Sequence, residues 1–157
     1  MIINKMLLND AYHISKWKYD EPYTLYNFDD SPEDIQELMD GSYFRVQLNN
    51  ELIGFLCFGY NAQVPDGRAA GLYNDNGKNF IDFGLGMKPD LCGHGNGLSF
   101  VQAGLEFAIK RFKPKFVRLS VATFNIRAIS VYSRIGFSKE QTFFNNETEF
   151  LIMKYEV

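Results

Sequence analysis

Cysteine is scarce in this chain of 157 residues: Cys57 and Cys92 stand alone, in dissimilar contexts. Two such thiols exclude a disulfide framework, and they lack the Cys/His spacing that would hold a metal. Long apolar runs are missing too, so no stretch reads as a membrane span. An excess of positive charge is absent: 16 Lys and Arg against 19 Asp and Glu leave a net charge of −3. That balance argues against a nucleic-acid binder, which needs a basic face to displace counterions. The opening MIINKMLLNDAYHISKW has one lysine before a short apolar patch and no small-residue cleavage site. It reads as strand and helix of a mature chain, not as a signal peptide, and the expected compartment is the cytoplasm.

What is present suffices for a folded core. Hydrophobic residues make up 46% and aromatics 16%, too apolar for a disordered segment. The length predicts a single domain over residues 1–157. Charge is uneven: the first 40 residues hold nine acids against three bases, a local balance of −6, so the remainder is about +3. The acidic third reads either as a solvated face or as a wall that attracts a cationic substrate.

The chain is organised around FIDFGLGMKPDLCGHGNGLSFVQAGLEFAIKRF, from Phe80 to Phe112. A glycine-interrupted strand enters a proline turn, then a loop with Gly93, Gly95 and Gly97. A helix follows, with Leu98, Val101, Leu105, Ala108 and Phe112 at helical spacing. Backbone N–H groups freed by glycine at a helix start form an anion site. The dinucleotide fingerprint does not fit, because Leu98 takes the place of its last glycine, and the P-loop lysine is missing after Gly97.

Around this stretch the spacing predicts a strand over Ile2–Leu8 and a helix capped by Asn9-Asp10 and running to Trp17. A second helix starts at Ser31-Pro32-Glu33-Asp34 and ends near Asp40-Gly41. Tyr43–Leu48 and Leu52–Tyr60 read as a hairpin whose second strand is apolar on both alternations, which makes Cys57 a packing residue. The segment WKYDEPYTLYNFDD between the two helices is too irregular for a helix. Residues 61–79 read as a long loop, either a cover over an acceptor entrance or a surface excursion. Phe116–Ala122 is a strand, Asn125–Arg134 a helix, and Lys139–Phe144 and Thr148–Tyr155 close the sheet.

Two blocks carry a family resemblance. Cys92, Gly95 and Gly97 fall on the pyrophosphate-loop pattern of the GNAT superfamily of N-acetyltransferases, with Cys92 where Arg or Gln is usual. About thirty residues on, VATFNIRAISVYSRIGF from Val121 to Phe137 resembles that superfamily's second block, matching at Asn125, Ala128, Tyr132 and Gly136-Phe137. The resemblance implies an α/β fold: a mixed, mostly antiparallel sheet of about seven strands, splayed between strands 4 and 5 and flanked by about four helices. It also implies transfer of an acetyl group from acetyl-CoA to a primary amine by direct attack in a ternary complex, without a metal.

In that arrangement Gly93, His94, Gly95, Asn96, Gly97 and Leu98 receive the pyrophosphate. Leu85, Gly86 and Met87 pair with the pantetheine arm, and an N–H near Leu85 or Gly86 polarises the thioester. Asn125 bonds the pantetheine or holds the splayed strand, and Tyr132 is the general acid for the departing thiolate. Asp82, the acid of the fourth strand, is the candidate base, although it alternates with Gly84 and Gly86 and reads equally as a structural acid; Glu149 or a water remain open. Cys92 would lie beside the pyrophosphate, too far from the thioester to carry the acetyl group. The acceptor is a small-molecule or peptide amine, cationic by the acidic, aromatic N-terminal third, with no nucleic acid or membrane partner. Two rival readings stay open: a non-catalytic acyl-CoA-binding module, and an interaction protein docking a partner or forming a homodimer.

Overall fold

A computed structural model describes residues 1–75 and 79–157. The strands are β1 (Ile2–Lys5), β2 (Tyr43–Leu48), β3 (Glu51–Phe58), β4 (Phe80–Met87), β5 (Phe116–Ala122), β6 (Ser138–Asn145) and β7 (Thr148–Glu156). The α-helices are α1 (Leu8–Ser15), α2 (Pro32–Leu38), α3 (Pro65–Ala69), α4 (Gly97–Phe112) and α5 (Ile126–Ile135). The seven strands follow the order β1-β2-β3-β4-β5-β7-β6 and are mostly antiparallel, with β4 and β5 parallel. The chain divides into two compact units: Met1–Cys57 with Leu85–Asn96, and Phe58–Gly84 with Gly97–Val157.

In the first unit Asn49 and Asn50 both adopt positive φ, 51° and 65°, which turns β2 into β3 in two residues and pairs Leu48 with Glu51. The register then places Tyr43 opposite Cys57 and Phe44 opposite Leu56, all buried. Ala11 and Ile14 of α1 and Leu38 of α2 are fully buried where the two helices pack together. Ser31 caps α2, its side chain accepting the Asp34 N–H at 3.2 Å. Helix α1 differs from expectation: it begins at Leu8 without a side-chain cap, because Asp10 lies inside the first turn and pairs with Arg45 at 3.0 Å.

In the second unit α4 packs on β5 and α5. Its buried residues are Phe100, Val101, Gly104, Leu105 and Ala108. Val101, Leu105 and Ala108 face inward as expected, joined by Phe100 and Gly104, while Leu98 is half-buried and Phe112 is 38% exposed. Strand β5 buries Val117, Leu119 and Val121, which pair with Tyr155, Met153 and Leu151 of β7 on one face of the sheet. Burying a side chain such as Phe83 or Phe100 stabilises a fold by roughly 2–3 kcal/mol. A few such residues therefore outweigh any single turn in holding this unit together.

The stretch expected as a long loop is partly built. A 3-10 turn over Gly59–Ala62 and the short α3 occupy it, because Pro65 at the first helical position and Asp66 beside it form a helix start. Helix α3 packs on β6, where Gly67 lies so close to Tyr73 and Phe143 that a Cβ would come within 2.7 and 3.0 Å of their rings. Residues 76–78 of that stretch lie outside the described residues.

Candidate active site

The end of β4 and the glycine loop belong to the first unit. Leu85, Gly86 and Met87 are half-buried, and the Lys88 N–H that follows them donates to the Ile53 carbonyl of β3 at 2.8 Å. The ring of Phe55 lies over Gly86 so closely that a Cβ there would meet it at 2.5 Å. This glycine is required by its neighbour across the strands. A 3-10 turn, Pro89–Leu91, then leads into Cys92, whose thiol is 3.6 Å from the Lys88 carbonyl.

Gly93 and Gly95 take φ values of 79° and 81°, a region that L side chains avoid, so the loop turns back on itself twice within three residues. His94, Gly95 and Asn96 are exposed, and the position a Cβ would take at Gly95 has no atom within 4 Å. The backbone there is unobstructed. Asn96 reaches back to the Leu91 carbonyl at 3.4 Å. A turn of this kind, with open backbone and no side chain in the way, fits a phosphate-bearing ligand.

The remaining candidates lie in the second unit. Gly97 opens α4, and a Cβ on it would touch only Val131 of α5, at 3.6 Å. The start of α4, with Gly97 and Leu98, therefore lies against the turn of α5 that also carries Tyr132. Tyr132 is buried, 7% exposed, with its ring 5.9 Å from that of Phe137. Gly136 ends α5 at φ 123°, and its N–H and that of Phe137 return to the Tyr132 carbonyl at 3.2 and 3.0 Å. Asn125 is the N-cap of α5, its side chain accepting the Ala128 N–H at 3.3 Å.

Asp82 sits among partners that sequence reading did not find. Its Oδ1 accepts from Arg118 Nε at 2.6 Å, and its Oδ2 from Arg118 Nη2 at 3.0 Å and Gln63 Nε2 at 2.7 Å. Both oxygens are engaged and the side chain is buried. A second bond from Arg118 Nη2, to the Tyr73 carbonyl at 3.0 Å, ties the same guanidinium to the segment before residue 76. The Tyr73 hydroxyl shares a 2.6 Å hydrogen bond with Ser120, and burial raises its pKa. A signal existed: Arg118 interrupts the apolar strand FVRLSVA, and a buried guanidinium demands a carboxylate.

Tyr19 was not among the expected site residues. Its hydroxyl donates to the Met87 carbonyl at 2.6 Å, joining the segment after α1 to the end of β4. Around it, Trp17 and Phe28 place their rings 6.4 and 5.9 Å from Phe55. Among the described residues no group of three or more His, Cys, Asp or Glu is placed to hold a metal. No described helix is long and apolar enough to cross a membrane.

The family model described as "Acetyltransferase (GNAT) family" matches residues 8–137. No curated protein matches the chain by sequence. Among solved structures, an acetyltransferase of the GNAT family from Bacillus anthracis is 19% identical, with a TM-score of 0.71 over 98% of this chain and 93% of that one. Mutant forms of a spermidine/spermine N-acetyltransferase from Vibrio cholerae are 16% identical, with a TM-score of 0.67 over 99% and 93%. An aminoglycoside acetyltransferase in complex with coenzyme A is 17% identical, with a TM-score of 0.74 over 98% and 93%. At these identities the likeness speaks to the fold alone.

Proposed function

The chain belongs to the GNAT family of acetyltransferases, and from that membership we propose that it moves the acetyl group of acetyl-CoA to a primary amine by direct attack, as one domain over residues 1–157. The observation that carries this reading is the exposed glycine loop, where Gly93 and Gly95 take positive φ and the backbone at Gly95 is unobstructed. The N–H groups of that loop would take the pyrophosphate. Acetyl-CoA supplies the activated thioester. Leu85–Met87 would pair with the pantetheine arm, and a backbone N–H there would steady the developing oxyanion. Such a donor is worth roughly 3 kcal/mol.

Tyr132 is the general acid of this proposal, giving its proton to the departing thiolate. Asn125 holds the first turn of α5 and through it the placement of Tyr132. For Asp82 we propose a positioning role in place of the base: a carboxylate that accepts two bonds from Arg118 and one from Gln63 has little capacity left for an amine proton. Water then removes that proton.

The acceptor we propose is cationic. Nine acids crowd the first 40 residues, and solved structures of the same fold include proteins named for spermidine and for aminoglycosides, both polyamines. The test is calorimetric titration with acetyl-CoA, CoA and NAD in parallel, followed by a panel of mono-, di- and polyamines. Micromolar acetyl-CoA binding without NAD binding, and turnover on polyamines above neutral amines, is the expected result. Absence of acetyl-CoA binding would overturn the reading.

A further inference from the structure

Within the first unit, the end of β4 is held by a residue that no motif marks. Lys88, which follows β4 directly, sends its N–H to the Ile53 carbonyl of β3, whereas the Met87 carbonyl before it is held by Tyr19. In a strand the direction alternates, so Leu85 and Met87 direct their backbone groups to the edge opposite β3. Tyr19 stands on that edge, its hydroxyl on the Met87 carbonyl at 2.6 Å. Its own backbone N–H is fixed in turn by Asn27 Oδ1 at 2.7 Å. Burial, followed by the neighbouring Cys92 thiol, raises the pKa of Tyr19 well above the ordinary tyrosine value, so the hydroxyl stays a donor at neutral pH.

Phe55 holds the same stretch by packing. Its ring covers Gly86, and Trp17 and Phe28 of the segment containing Tyr19 close around it. A hydrogen bond and an aromatic cluster from one segment thus fix two successive residues, Gly86 and Met87.

We propose that Tyr19 is a positioning residue for acetyl-CoA. By holding the Met87 carbonyl it sets the direction of the Leu85 and Met87 backbone groups. The Leu85 N–H then becomes the donor to the thioester carbonyl, and the Leu85 carbonyl the acceptor for a pantetheine amide. Gly86, which faces β3, supplies neither. The inference rests on the reading that the end of β4 receives acetyl-CoA.

The experiment compares the full-length protein with its Tyr19→Phe variant, using acetyl-CoA labelled at the thioester carbonyl and read by difference infrared spectroscopy alongside calorimetry. In the unaltered protein the carbonyl stretch should move to lower frequency on binding. In Tyr19→Phe that shift should shrink and the Kd for acetyl-CoA rise about fivefold, the scale of one neutral hydrogen bond. A variant with an unchanged carbonyl shift and a Kd within about twofold, even with a lower Tm, would make Tyr19 merely structural and overturn the proposal. If the unaltered protein does not bind acetyl-CoA at all, the functional reading itself fails, a different outcome. Should Tyr19→Phe not fold, Asn27→Ala releases the Tyr19 backbone and keeps its hydroxyl. That variant should reduce the carbonyl shift by a smaller amount, and an unchanged shift would again sink the idea.

Discussion

Arg118 grips Asp82 with two prongs, Nε on Oδ1 at 2.6 Å and Nη2 on Oδ2 at 3.0 Å, between side chains that are 6% and 8% exposed. Gln63 and the Tyr73 carbonyl complete the set, so one buried pair links β4 and β5 to the segment that carries α3. At such burial, losing one member leaves an uncompensated charge, whereas losing both leaves an apolar gap.

Removing one partner, by Asp82→Ala or Arg118→Met, should therefore lower stability by about 3–5 kcal/mol. The pair Asp82→Leu with Arg118→Met should cost less than either single change. Urea unfolding of the three variants checks this. In whatever fraction of Asp82→Asn remains folded, the acid limb of the pH–rate profile should persist, which a base at Asp82 would not allow.

Tyr132→Phe should leave the fold intact, since the ring stays buried against Phe137. Acetyl-CoA binding should persist while turnover falls by about a hundredfold or more, the usual contribution of a positioned proton donor. A calorimetric titration next to a kcat measurement separates the two. Equal turnover in the variant would assign the proton to another group.

The two glycines of the proposed cofactor region should respond for different reasons. Gly95 has open space around it but φ of 81°, so Gly95→Val should cost about 1–2 kcal/mol of backbone strain while weakening acetyl-CoA binding strongly. Gly86→Ala would drive a methyl within 2.5 Å of the Phe55 ring, a clash costing about 1–3 kcal/mol. Adding Phe55→Leu should recover part of that loss, which a double-mutant cycle on thermal unfolding would reveal. Full additivity would mean that the ring is not what excludes the methyl.

Alkaline pH should destabilise the first unit through Cys57. Burial pushes its thiol from an ordinary 9.0 up to about 12, and the Tyr43 hydroxyl beside it, which donates to Glu37, is raised as well. A folded-state pKa above the unfolded one gives stability that is complete below pH 9 and lost as pH rises toward 12. Urea midpoints should be flat with respect to these groups between pH 6 and about 8 and decline beyond pH 9. Cys57→Ala should soften that decline. In thiol titration of the native protein at neutral pH, half-buried Cys92 should react and Cys57 should not.

Much of the architecture was legible along the chain because its signals are local. Ser31-Pro32 announced α2, Asn49-Asn50 the hairpin, and the apolar period after Gly97 the long helix, each within a few neighbouring residues. The expectation of unbroken loop over residues 61–79 missed α3, although Pro65-Asp66 carried a start signal; the helix is short and leans on Tyr73 and Phe143 for its stability. On α4 the expected inward residues Val101, Leu105 and Ala108 are buried, joined by Phe100 and Gly104, whereas Leu98 and Phe112 at the two ends of the stripe keep part of their surface open.

The sequence alone settled the kind of molecule: glycines at 93, 95 and 97 before an amphipathic helix, and the block around Asn125 and Tyr132, are patterns of nearby residues with a physical meaning of their own. Partner choice was decided in three dimensions. Asp82 finds Arg118 across 36 residues and Tyr19 finds Met87 across 68, through pairings set by strand register and by how the segment after α1 folds back. No local spacing encodes such meetings, because a hydrogen bond between distant residues depends on every turn and bulge that lies between them.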